Sequence, residues 1–311
     1  MNWQKYYDEW DNFVKKWFEQ WPNLPSDGGV PEKFLRFIQT KNEAKQWESL
    51  DLNILPTPYL GCPGAGVEAV VMHMNPGLSE IAKYGKFKGE STDTTQSYAN
   101  IDKPIGWLIR EFRDNAECSY SKFLKAWSCL NPDLGGHNPQ VCGWEWWNYE
   151  MEWIRRVYAK EQLSSSKVFA LELCPYHSKR FAIRQRSRFN KELLPFIREH
   201  VIDAAIAAVK ENKLPYAVAL GAEFYRIFDR LKFPYKEWSF KKCETSCKWP
   251  PNGDDKPTRR TYRLYTATSL DGIEARILVT WAQATGNPPP SESFKDVEKS
   301  IFSYVSNSNV P

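Results

Sequence analysis

Four short apolar runs constrain this chain more than any other feature: residues 67–72, 168–171, 216–220 and 275–280. Each is only a few residues long, rich in Val, Ala, Leu and Ile, and ends in a polar, glycine or proline-containing stretch, the pattern of a buried strand that delivers a loop. Between them lie helical stretches, above all an aromatic one over 144–162 and an alanine-rich one over 191–210. Strands alternating with helices imply strands buried on both faces in a largely parallel arrangement. The expected fold is therefore α/β, a three-layer α/β/α sandwich with a central, mostly parallel sheet.

The chain has 311 residues, ample for one large core and compatible with a single domain. A charged fraction of 26% beside 42% apolar residues places it among globular chains, not disordered ones. Its net charge of +4 is too small to argue for a polyanionic partner, so local clusters must carry that case. No run of apolar residues long enough to span a bilayer is present and the chain does not open with a secretory pattern, so a cytoplasmic location without a membrane partner is expected. Seven cysteines, an odd number in a large chain, fit reduced thiols. The one close pair, Cys243 and Cys247, lacks the second pair or histidine that a zinc site needs, so neither a metal nor another cofactor is expected.

Residues 1–48 open with Trp3, Tyr6, Tyr7, Trp10, Phe13, Val14 and Trp17 at three-four spacing, which predicts an amphipathic helix packed on the domain as an N-terminal extension. A second helical stretch over 31–48 follows a Pro/Gly turn, and further helix is expected over 105–130. The segment 85–103 is polar and reads as a long loop of the kind that often serves function. Residues 241–260, charged and Pro/Gly-containing, read as an insertion in a main domain that spans 49–305.

The first strand ends at His73-Met74 and runs into Asn75-Pro76-Gly77. His73 alternates with Met72 and Met74 and reads as a buried structural histidine, whereas Asn75 opens a loop at the carboxyl end of a strand, where open α/β sheets hold ligands. The stretch from Pro58-Tyr59-Leu60-Gly61 through Leu78 resembles the first motif of the uracil-DNA glycosylase superfamily, in the branch whose loop reads Asn-Pro-Gly where other branches have Asp-Pro-Tyr. The likeness extends in position over residues 52–303, although only this first motif matches in letters.

That resemblance implies a uracil-DNA glycosylase-like fold and a monofunctional DNA glycosylase, a hydrolase acting on N-glycosyl bonds without a cofactor. It would flip a nucleotide out of single- or double-stranded DNA and act as a monomer. Glu172-Leu173-Cys174-Pro175 stands where the family has an Asn-Tyr-Cys-Pro version, so the base-reading residue is glutamate. An ionised carboxylate only accepts hydrogen bonds; uracil offers an acceptor oxygen at C4 and cytosine an amino donor, so glutamate there suits cytosine. Gly77 replaces a tyrosine that, in the uracil-strict branch, blocks the C5 side of the base. Together they imply a C5-modified cytosine, such as the glucosylated hydroxymethylcytosine of some phage DNA, with antiviral defence as the purpose. Excision of uracil or a damaged pyrimidine in DNA repair, and a catalytically silent nucleic-acid-binding protein, are the alternatives.

The remaining roles are read from the residues in the light of that chemistry. Asn75 orients the attacking water, His177 stands in for a missing histidine, and Tyr84 and Phe87 lie against the base. Lys179, Arg180, Arg184 and Arg186 belong to a basic cluster suited to phosphates. The family's last motif carries His-Pro-Ser; residues 281–291 hold its place without it, with Gln283 nearest the pocket and Asn287 at a proline-rich tip facing DNA.

Overall fold

A computed structural model describes residues 1–20, 50–51, 59–60, 63–74, 144–164, 167–175, 177–178, 194–240, 260–280 and 304. The helices expected over 31–48 and 105–130, the loop over 85–103 and the core of the 241–260 insertion lie outside these residues.

The apolar runs form strands. They are β3 (Ala69–His73), β4 (Val168–Glu172), β6 (Ala217–Leu220) and β9 (Glu274–Thr280), each within two residues of the boundaries expected from sequence. They sit side by side in the order β4-β3-β6-β9, and all three pairings are parallel. The sheet is larger than the apolar runs predict. β2 (Tyr59–Leu60) adds antiparallel to β4 at one edge, and β8 (Arg260–Thr268) with β7 (Tyr235–Phe240) extend the other edge antiparallel, giving seven strands in the order β2-β4-β3-β6-β9-β8-β7. The sheet is thus mixed, parallel at its centre and antiparallel at its flanks. β1 (Leu50–Asp51) and β5 (His177–Ser178) form a separate antiparallel ribbon.

Alternation along each strand divides the side chains between two apolar clusters. Val70 and Met72, Phe169 and Leu171, Ala217 and Ala219, and Ile277 and Val279 share one cluster. It takes in Tyr6 and Trp10 of α1 (Trp3–Gln20), Ala204, Ala205 and Ala208 of α4 (Asp203–Glu211), and Phe224 and Phe228 of α5 (Ala222–Arg230). The alanines of α4 let its backbone approach the sheet closely. Ala69 and Val71, Val168, Val218 and Leu220, and Leu278 share the other, with Trp153, Ile154 and Val157 of α2 (Trp144–Val157).

The alanine-rich helix expected over 191–210 is not uniform. It begins as α3 (Leu194–Ile197), widens into a π segment (Arg198–Ile202), and resumes as α4. The wide turn is where α1 attaches: Tyr6 donates to the carbonyl of His200 at 3.1 Å, and Trp10 packs edge-on to Phe196 and His200. α1 is therefore part of the main core, with Tyr6 and Trp10 each 3% exposed.

Candidate active site

All four central strands point their carboxyl ends the same way, and His73, Glu172, Glu223 and Thr280, four of the buried polar residues, lie there. β3 ends in His73 and β4 in Glu172, and the parallel register sets these two residues opposite each other. His73 Nδ1 lies 3.4 Å from Glu172 Oε1, and both side chains are 6% exposed. The contact becomes an ion pair when the imidazole is protonated. The backbone ladder continues past the strands: Leu173 N–H donates to the His73 carbonyl at 2.8 Å and Cys174 N–H to the Met74 carbonyl at 3.0 Å. The two exits are thus tied together up to the residue before Asn75.

β6 ends at Leu220, and Gly221 after it opens α5. Its φ of 128° is one that side-chain-bearing residues rarely adopt, and a Cβ there would lie 2.8 Å from Met74 Sδ. Glycine is required by both backbone and space, and its absence of side chain seats the start of α5 against the end of β3. In the first turn of α5, Glu223 is 1% exposed and accepts from Arg226 Nη1 at 2.5 Å, a carboxylate placed where the helix dipole favours negative charge. β9 ends at Thr280, fully buried, whose carbonyl accepts from Gly221 N–H at 3.2 Å. The edge therefore offers two carboxylates, an imidazole and a hydroxyl: acceptors for N–H groups, a proton carrier and a donor of adjustable direction.

Of the site residues expected from sequence, Glu172 is at this edge. Glu172 is in contact with His73, which is buried as expected and also belongs to the site. His177 lies in β5, its backbone paired with Asp51. Asn75, Gly77, Tyr84, Phe87, Lys179, Arg180, Arg184, Arg186, Gln283 and Asn287 lie outside the described residues, as do Cys243 and Cys247. Cys174 is a buried thiol.

Glu223 and Thr280 escaped the sequence reading. The signal for Glu223 was a buried run closing on Gly221, the sign of a strand turning directly into a helix whose first turn carries the acid. Thr280 gave no signal beyond ending an apolar run. Away from this edge, Glu9, Glu199 and His200 bring ligand-type atoms within 4.8 Å of one another. There His200 Nδ1 faces Glu9 Oε2 at 3.9 Å and Nε2 faces Glu199 Oε2 at 4.0 Å, so the ring bridges two carboxylates across the α1 junction. No protein-family model matches the chain, and neither a curated protein nor a solved structure matches it. No helix among the described residues is long and apolar enough to cross a membrane.

Proposed function

We propose that this protein is a monofunctional DNA glycosylase of uracil-DNA glycosylase-like, three-layer α/β/α architecture, which excises a C5-modified cytosine and leaves an abasic site. The observation that carries the reading is Glu172, a carboxylate buried at the carboxyl end of a central parallel strand and 3.4 Å from the imidazole of His73. That end of an open parallel sheet is where ligands are bound. As an acceptor, Glu172 takes the N4 amino group of cytosine, and Gly77 leaves room for the C5 substituent.

In the reaction, water held by Asn75 adds its oxygen to C1′ as the C1′–N1 bond breaks. The electron pair leaves with the base, and the proton lost by water passes to the base or to solvent. The sugar passes through an oxocarbenium-like state, so orienting the water and stabilising the departing base matter more than a strong nucleophile. His177 assists that departure, Tyr84 and Phe87 flank the base, and Lys179, Arg180, Arg184, Arg186, Gln283 and Asn287 hold the DNA strand.

The test is direct. Oligonucleotides carrying uracil, cytosine, methylcytosine, hydroxymethylcytosine or glucosylated hydroxymethylcytosine are incubated with the protein, then treated with alkali to break abasic sites. Breaks at the bulky modified cytosines, with uracil spared, are expected. Intact strands throughout would overturn the reading, and breaks at uracil alone would move the substrate to repair.

A further inference from the structure

Thr280 poses a question of its own. It is fully buried, and its Oγ1 has no hydrogen-bond partner among the described residues. A buried hydroxyl left unmatched is costly, and burial removes water as the ordinary substitute. A partner that arrives from outside would match it.

The sheet register shows where that partner would lie. Thr280 pairs with Leu220, and the step after Met72–Ala219 sets Leu220 beside His73, which pairs with Glu172. Strand alternation puts Leu220 and Leu278 in the cluster beneath α2, and Thr280, two residues after Leu278, shares that face. His73 and Glu172 follow Val71 and Ala170 by two residues and lie on the same side, as Val71 does. The last rung of the four parallel strands is therefore one line on one face: carboxylate, imidazole, leucine, hydroxyl. With strands about 4.8 Å apart, the hydroxyl stands about 10 Å from the imidazole and about 14 Å from the carboxylate. That span exceeds a lone pyrimidine and suits a base with its sugar attached.

We propose that Thr280 is the sugar-side end of a nucleoside-binding rung: the base is read at Glu172 and His73, Leu220 supplies an apolar floor under the middle, and Thr280 Oγ–H donates to a deoxyribose oxygen. The assignment deepens the glycosylase reading and takes the pyrimidine nucleoside from it. Thr280 sets specificity for nucleoside over free base.

Calorimetry with two probes, 5-hydroxymethyl-2′-deoxycytidine and the free base 5-hydroxymethylcytosine, tests it on the wild-type chain, Thr280→Val and Thr280→Ser. The nucleoside is expected to bind more tightly than the base. Thr280→Val should lose about tenfold in nucleoside affinity, leave base affinity unchanged, and melt at or above the wild-type temperature because the deleted hydroxyl has no partner inside the protein. Thr280→Ser keeps the donor and should keep the nucleoside preference. Unchanged nucleoside affinity in Thr280→Val overturns the proposal. So does a Thr280→Val protein that fails to fold, since the hydroxyl then serves the core, and so does a wild-type protein that binds neither probe. Nucleoside binding that depends on Thr280, without base release from any oligonucleotide, sinks the glycosylase reading and leaves the rung standing; base release with no dependence on Thr280 does the reverse.

Discussion

The two ends of the same four strands treat buried polar groups in opposite ways. At the amino end, the hydroxyls of Tyr158 and Tyr216 and the amide of Asn212 are matched to backbone groups. The Tyr158 hydroxyl accepts the Val70 N–H at 3.2 Å and lies 2.9 Å from the Val70 carbonyl and 2.8 Å from that of Tyr216, bridging β3 and the approach to β6. Tyr216 in turn donates to the Val157 carbonyl at the end of α2. Burial pushes the Tyr158 phenol well above its ordinary pKa, so it remains a donor across the physiological range. Asn212 ties the loop before β3 to α4, accepting from Gly66 N–H at 2.8 Å and donating to Gly64 and Ala208 carbonyls, each at 2.9 Å. At the carboxyl end, Glu172, His73, Glu223 and Thr280 put two carboxylates, an imidazole and a hydroxyl into the same kind of burial. Polar groups bonded to the backbone fix the register of a sheet, whereas buried titratable groups clustered at strand ends are the kind that chemistry uses.

The comparison breaks most visibly at Tyr158. Tyr158→Phe keeps the ring but strips the hydroxyl from three backbone groups, and should lower unfolding free energy by about 2–4 kcal/mol, measured by urea titration. Base release per folded molecule should not change; a variant of normal stability would mean the amino end is not a lock. The opposite pattern is expected from Glu172→Gln. Discrimination between cytosine-type and uracil-type oligonucleotides should fall by about 1–3 kcal/mol, in single-turnover rates, with a smaller effect on melting than Tyr158→Phe. Unaltered discrimination would remove Glu172 from base reading.

The smallest effect is expected at Asp203, half-buried at the start of α4 and accepting the Leu270 N–H at 3.1 Å. Burial raises its carboxyl pKa, the backbone bond and nearby Arg198 opposing the rise in part. Because the folded-state value lies above the unfolded one, ionisation destabilises the fold: no penalty exists below the unfolded value, and it grows as pH rises through the folded one. Asp203→Asn should therefore be slightly more stable than wild type at neutral pH, and the difference should vanish as pH falls into the ordinary carboxylate range. A difference that grows on acidification would reverse the sign.

The strands that carry the site were legible because burial on both faces leaves continuous apolar runs, as in residues 67–72 and 168–171. β7 and β8 were not. Lys236, Glu237 and Arg263 interrupt them, and what holds that edge is a surface network in which Arg263 meets Glu237 at 2.7 Å and Asp229 at 3.0 Å and covers the Tyr235 ring. α5 was missed since its nine residues follow β6 with only Gly221 between. At the site, Glu172 was visible as a polar residue closing an apolar run. His73 closes one too, yet only register between strands distant in sequence shows that the two meet. The π segment has no sequence signature, and α1 docks on it.

That docking has a consequence for how the chain is made. Trp3 donates to Glu211 and Tyr6 to His200, contacts that close loops of 208 and 194 residues. Emerging from the ribosome at about 5–20 residues per second, α1 waits roughly 10–40 seconds for its seat to be synthesised, its aromatic side chains without their final cover. Contacts of such range form late and slow the search for the native state. α1 is thus translated well before its seat and is among the last segments to be locked.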